Sequence, residues 1–154
     1  MDKPQLNLPP FDIKTREQAG KMEVFDILRK KYVALTPEEQ VRQAFIHYMI
    51  RHKDFPAGLL AVEYSLRVND LKKRADIVSF SKMGHPILLV ECKAPQVKIT
   101  QRVFDQIARY NMNLRVDFLI VTNGLVHYCC KLDFLNNSYI FLEEIPSYQE
   151  VVQA

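Results

Sequence analysis

Tryptophan is absent from this chain of 154 residues, glycine occurs four times and cysteine three times. No Gly-rich phosphate loop, Ser nucleophile elbow or zincin signature is present, which argues against an ATPase, a serine hydrolase or a zinc protease. Cys92, Cys129 and Cys130 make no even framework, and adjacent residues are poor partners for each other. Reduced thiols in a cytoplasmic protein are therefore expected. Long apolar runs are missing as well. The longest purely aliphatic run, Ile87 to Val90, is far short of a membrane span. Met1 to Pro10 is polar and Pro-rich without an apolar stretch, so no secretory signal is expected. The four histidines are dispersed, and His47 and His52 are five apart, the wrong helical spacing for one metal. Charge of one sign is scarce too: 21 Lys and Arg against 18 Asp and Glu leave a net +3, which permits nucleic acid as a partner without arguing for it.

What remains is an ordinary globular composition, 48% hydrophobic and 25% charged, at a length that suits one domain. Pro4, Pro9 and Pro10 mark an extended N-terminal arm. Apolar stretches at Phe11–Ile13 and Met22–Leu28 flank Gln18-Ala19-Gly20, a hairpin signal, although the second stretch also suits a helix. At Thr36-Pro37-Glu38-Glu39 an N-cap, a proline at the first helical position and two first-turn acids begin a helix. Val41, Ala44, Phe45, Tyr48 and Met49 give it one apolar face, and it should stop near Lys53. Leu60, Val62, Tyr64, Leu66 and Val68 alternate with polar residues, as in a strand with one buried face, and Asn69-Asp70 turns out of it. Strands at Arg74–Phe80 and Pro86–Lys93 follow, then a helix at Lys98–Asn113. Asp117–Val121, an Asn-Gly turn, Val126–Lys131 and Tyr139–Leu142 complete a mixed sheet. The fold class is α/β, with residues 1–34 as arm and hairpin and 35–154 as the main domain.

The hairpin from Arg74 to Lys93 carries chemistry. A turn centred between Met83 and Gly84 places Asp76 opposite Glu91, with Cβ atoms roughly 4.5–5.5 Å apart. Like charges so placed repel, and a hard divalent cation between them removes the conflict; Mg²⁺ typically uses one or two carboxylates plus waters and phosphate. Lys93 shares the face of Glu91. Metal beside ammonium suits phosphodiester hydrolysis. A solvated sheet end is the plainer account of each residue taken singly, and the set of three favours the site.

These residues resemble the PD-(D/E)xK nuclease superfamily, with Asp76 in Arg-Ala-Asp-Ile-Val and Glu91-Cys92-Lys93 as the ExK element. The context is similar to the amino-terminal nuclease domain of type I restriction enzyme R subunits, through Leu35–Glu39 with Val41–Gln43, Lys73–Ile77, Val90–Pro95, the Gln106-x-x-x-Tyr110 element and Thr122–Gly124. The resemblance covers about residues 35 to 130 and implies a restriction-endonuclease-like core of helix, three-strand meander, helix and strand. It implies Mg²⁺, with Mn²⁺ substituting, held by Asp76, Glu91 and the main-chain carbonyl of Cys92. Lys93 would be the catalytic lysine, and Gln106 and Tyr110 would orient the site or the DNA. Glu63 would be an accessory ligand, with an ordinary exposed strand glutamate as its alternative. Ala75 departs from the family by replacing the proline before the aspartate. No helicase motor stands in these residues, so separate helicase or restriction-modification subunits are candidate partners.

Between Asp70 and Arg109 there are eight Lys or Arg and four Asp or Glu, an excess above that of the whole chain. Lys72, Lys73, Arg74, Lys98 and Arg102 are candidate phosphate contacts. The expectation is a Mg²⁺-dependent deoxyribonuclease acting on DNA, with a homodimer suited to double-strand cleavage. A non-catalytic nucleic-acid-binding or assembly module on the same fold is the second reading. A metal-dependent enzyme acting on nucleotides is the third.

Overall fold

The structure, a computed structural model, describes residues 5–154; the first four residues of the expected arm lie outside them. Three short strands come first, β1 (Thr15–Gln18), β2 (Lys21–Asp26) and β3 (Lys31–Ala34), in an antiparallel sheet of their own. The expected hairpin turn forms at Ala19-Gly20, where both residues have positive φ, as a two-residue turn demands. Met22–Asp26 is thus strand rather than helix, Ile27 and Leu28 lie in the turn that follows, and β3 was not expected. Phe11 is not a strand residue: its ring stacks on His47, with centroids 4.4 Å apart.

Helix α1 (Pro37–His52) begins as its capping residues dictate, the Thr36 hydroxyl accepting from the Glu39 amide at 3.0 Å. A single turn at Ala57–Leu59 leads into β4 (Leu60–Val68), β5 (Leu71–Phe80) and β6 (Pro86–Cys92), an antiparallel meander. Helix α2 (Gln101–Met112), capped by Thr100, crosses to β7 (Phe118–Thr122), which runs parallel to β6. Strands β8 (His127–Asp133) and β9 (Ser138–Leu142) complete a six-stranded mixed sheet in sequential order. A last helix, α3 (Tyr148–Gln153), opens with a Ser147–Glu150 capping box. No helix among the described residues is long and apolar enough to cross a membrane.

The sheet separates two cores. Leu88, Val90 and Cys92 of β6 and Phe118 and Ile120 of β7 pack with Phe45, Ile46 and Met49 of α1 and with Tyr148 and Val151 of α3. Leu89, Leu119 and Val121 pack on the other side with Phe104 and Ala108 of α2. Strand periodicity accounts for this division, and for Cys129 and Cys130 falling on opposite faces. All three cysteines are buried and free.

One expectation fails in an instructive way. Leu60 and Val62 face the α1 core, whereas Leu66 and Val68 face the α2 core, so β4 does not keep a single buried face. The switch lies at Glu63, whose φ of 50° breaks the pleat. Strand β5 switches at the same level, with Ile77 in the α1 core and Ala75 in the α2 core. Asp76 lies between them, opposite Glu63 in the register that pairs Val62 with Ile77 and Tyr64 with Ala75.

Candidate active site

Strands β5 and β6 pair Ile77 with Val90, Val78 with Leu89 and Ser79 with Leu88, so Glu91 is the next residue in register opposite Asp76. The hairpin does contain an irregularity, between Ser79 and Phe80, but it lies on the turn side of these pairs. Phe80 pairs with Pro86 and the Ser81 amide donates to the His85 carbonyl, so the turn is centred on Met83 rather than between Met83 and Gly84. The irregularity then shifts the pairing by one residue into the register that sets Asp76 opposite Glu91.

Asp76 is fixed from two directions. Its Oδ2 accepts from the Cys92 amide at 2.6 Å, and its Oδ1 from the Arg42 guanidinium at 3.3 Å. Burial raises the Asp76 carboxyl above its ordinary value; the Cys92 hydrogen bond opposes this, the charge of Glu91 adds to it, and Arg42 and Lys93 oppose it. Glu91 is buried beside Cys92, and its Oε1 forms an ion pair with the Lys73 ammonium. Lys93 stands one residue past β6, half-buried, its amide donating to the Thr122 carbonyl at 2.8 Å. Burial drives the Cys92 thiol far up, so its side chain is inert and only its main chain is available to the site.

The α1 side holds a lattice of ions that the sequence reading missed. Arg42 reaches Glu39 at 3.4 Å, Glu63 at 3.2 Å and Asp76 at 3.3 Å. Arg29, in the β2–β3 turn, reaches Asp26 at 2.6 Å, Glu39 at 2.9 Å and Glu63 at 3.4 Å. Glu63 also receives Arg74 at 2.7 Å. Burial works against its ionisation, yet Arg42, Arg74 and Arg29 together hold its carboxyl below the usual range. The carboxylate expected as an accessory ligand is thus occupied by three guanidinium groups. Glu39, taken from sequence as a first-turn charge, is buried and also accepts from Gln43 at 3.1 Å. The Glu39, Arg42 and Gln43 spacing is the signal that was available, since residues three and four apart share a helix face.

On the α2 side the Tyr110 hydroxyl donates to the Lys72 carbonyl at 3.3 Å, and the Lys73 ammonium lies 4.8 Å from the Tyr110 ring centre. Gln106, one turn earlier on α2, is exposed. Lys72, Lys98 and Arg102 are exposed and, among the described residues, form no ion pair. Lys73 and Arg74, by contrast, are paired with Glu91 and Glu63.

Among the described residues no three His, Cys, Asp or Glu side chains cluster as a metal site. The donor set is two carboxylates and a main chain, the kind that suits Mg²⁺, which retains several waters. The elevated Asp76 carboxyl fits such an ion, because a nearby cation relieves both its burial and the charge of Glu91.

Comparison with known proteins follows this geometry. The family model of the type I restriction enzyme R protein N terminus matches residues 37–146. The chain belongs to that family. The match runs from α1 to just past β9 and leaves β1–β3 outside. No curated protein matches the chain in sequence. Among solved structures, a fragment assigned as the HsdR subunit of a type I restriction enzyme from Vibrio vulnificus YJ016 is 19% identical, with a TM-score of 0.54 over 79% of this chain. This chain spans a quarter of that one, 25%. A protein assigned as a nuclease of the DUF820 group, from Anabaena variabilis, is 10% identical with a TM-score of 0.48 over 96% of this chain and 88% of its own. The family is that of the restriction enzyme R-protein N terminus, and the α/β fold is shared with the Vibrio fragment.

Proposed function

We propose that the chain hydrolyses DNA phosphodiester bonds with Mg²⁺ held by Asp76, Glu91 and the Cys92 main-chain carbonyl. The observation that carries this reading is the placement of the two carboxylates side by side at the end of the central hairpin, in a chain of the restriction R-subunit family. Mg²⁺, when bound, supplies charge stabilisation at the phosphoryl group. The chain's own residues do the remainder. Asp76, pinned by the Cys92 amide and Arg42, presents its carboxylate in a fixed orientation. The Lys93 ammonium orients the attacking water and offsets charge that develops on the phosphate. Gln106 and Tyr110, one turn apart, position the reacting strand, and Lys72, Lys98 and Arg102 contact its phosphates. The reaction requires no motor, although cytoplasmic restriction-modification subunits or a second copy of the chain are fitting partners for cutting a duplex.

The test is Lys93→Ala, assayed for cleavage of duplex DNA with Mg²⁺ or Mn²⁺. The expected result is a loss of about 10²–10³-fold or more, with fold and DNA affinity nearly intact. Undiminished cleavage would overturn the assignment of Lys93. Cleavage by the parent protein that persists in a chelator would overturn the metal-dependent reading as a whole.

A further inference from the structure

Glu91 already has a cation. Its Oε1 is buried, and the Lys73 ammonium is its one partner there among the described residues. The Lys73 side chain is only 15% exposed, unlike that of Arg74 at 66%. A straight β5 would not produce this contact. Lys73 would then share the face of Ile77, which packs toward α1, whereas Glu91 shares the face of Leu89 on the α2 side. The pleat switch at Asp76 turns Lys73 and Ala75 onto the α2 face, where Glu91 and Tyr110 stand. The kink that sets the catalytic aspartate therefore also delivers a lysine to the second carboxylate.

From this arrangement we infer that Lys73 is an exchangeable resident cation. It neutralises Glu91 while the metal is away and is displaced from Glu91 when a divalent ion binds, which leaves its ammonium free for a DNA phosphate. The inference rests on the metal-dependent reading above. Its physical basis is that an ammonium and a divalent cation repel when both crowd one buried carboxylate oxygen. The released ammonium has a seat nearby, since its nitrogen already lies over the electron-rich face of Tyr110, and that ring is held by its hydrogen bond to the Lys72 carbonyl. The Tyr110 ring is itself exposed, so an ammonium seated on it is open to an incoming phosphate. Displacement would thus move positive charge from the interior of the site toward the phosphate track. Arg42 cannot act in this way, because three carboxylates hold it at once.

Linkage fixes the consequences. If metal and Lys73 compete for Glu91, removing the ammonium tightens metal binding, and metal makes Lys73 available to DNA. The experiment measures Mn²⁺ affinity by calorimetry on the full chain for the parent, Lys73→Met and Lys82→Met, the last an equal loss of charge in the exposed β5–β6 turn. A tightening of about fivefold or more is expected for Lys73→Met and little change for Lys82→Met, corresponding to a coupling within the usual range for linked sites. A second readout is the affinity for a fluorescent duplex with and without Ca²⁺, used as a metal in place of Mg²⁺. Lys73→Met should match the parent without metal and bind more weakly than the parent with it. Lys73→Gln replaces Lys73→Met if circular dichroism shows the methionine variant unfolded. Equal or weaker Mn²⁺ binding in the folded variant overturns the exchange and leaves the metal site standing. Absence of Mn²⁺ binding in every protein at millimolar metal overturns the metal-dependent reading, and the exchange with it.

Discussion

Asp76 and Glu91 are neighbours across one hairpin, yet their surroundings are built on opposite plans. Asp76 faces a lattice in which Arg42 and Arg29 are shared among Asp26, Glu39, Glu63 and Asp76 itself, with no member free to leave. Glu91 faces one lysine on a flexible stem, and that lysine has an aromatic ring as its second seat. The first arrangement fixes geometry; the second permits exchange. The difference originates in the chain path. On the α1 side the β2–β3 turn locks onto α1 through Arg29 and Glu39, beside a cavity of about 640 Å³ that Arg42 and Glu63 also line, whereas the α2 side presents the exposed Gln106 and Tyr110. A carboxylate that must not move and one that must accept an ion thus stand side by side. Guanidinium groups serve the first because their forked donors hold several carboxylates at once, and an ammonium serves the second as a single point charge.

The contrast breaks most visibly in stability. Arg42→Met leaves Asp76, Glu39 and Glu63 each short of a buried partner, and a cost of about 3–5 kcal/mol in urea denaturation is expected. Lys73→Met should cost less, about 1–2 kcal/mol, because only Glu91 loses its partner. Millimolar Mg²⁺ should restore the stability of Lys73→Met, since an ion at Glu91 replaces the missing charge, and should not restore Arg42→Met. Equal costs, or metal rescue of both variants, would show that the two carboxylates are held alike.

A smaller effect sharpens the role of the N-terminal sheet. Arg29→Ala removes charged hydrogen bonds to Asp26 and Glu39, and a loss of about 1.5–3 kcal/mol is expected, with faster amide exchange across β1–β3. Arg74→Ala removes a contact of similar length to Glu63 from a side chain that is largely in solvent, and should cost within about 1 kcal/mol. If Arg74 proved the costlier loss, the sheet would not be what secures the α1 side.

Local signals made much of this legible before any coordinates. Thr36-Pro37 set the start of α1 and Asn123-Gly124 the β7–β8 turn, whereas the register that opposes Asp76 to Glu91 comes from the β5–β6 turn together with the irregularity between Ser79 and Phe80, which no residue pattern announced. What escaped is non-local. The pleat break at Glu63 and Asp76 leaves the apolar alternation of Leu60 to Val68 intact on paper while turning half of it to the other face. Arg42 and His47 lie outside the apolar set of Val41, Ala44, Phe45, Tyr48 and Met49, yet both are buried, where Arg29 of the β2–β3 turn pairs with Glu39 and Phe11 of the arm stacks on His47. Periodicity reports that a face is polar; it does not report that the polar groups of a distant turn have come to meet it. Ion pairs between residues 29 and 63 or 42 and 76 leave no spacing in the sequence to find.

The smallest expected effect concerns the arm, whose Phe11 stacks on α1. The Asn7 amide donates to the Gly124 carbonyl at 2.7 Å, and the Asn7 carbonyl lies 2.8 Å from His127 Nε2. His127 Nδ1 lies 2.6 Å from the Thr122 hydroxyl, so a neutral ring that donates from Nε2 and accepts at Nδ1 satisfies every partner. Burial lowers the pKa of His127 even though the Asn7 carbonyl opposes it. Burial also lowers that of His47, stacked on Phe11, with Arg51 adding to the effect and Asp26 and Asp12 opposing it. For a base depressed in the folded state, stability is complete above the ordinary value of 6.5 and is lost as pH falls through the folded value. Amide protection factors, corrected for the intrinsic pH dependence of exchange, and resistance to proteolysis over residues 5–13 should therefore fall between pH 7.5 and 5, while α1 and the central hairpin stay protected. A His47→Phe, His127→Gln protein keeps a stacked ring and a side-chain donor without a titrating group, and its arm should show a flat profile over that range. A profile that still falls would place the sensitive group elsewhere and separate the arm from the two histidines that hold it.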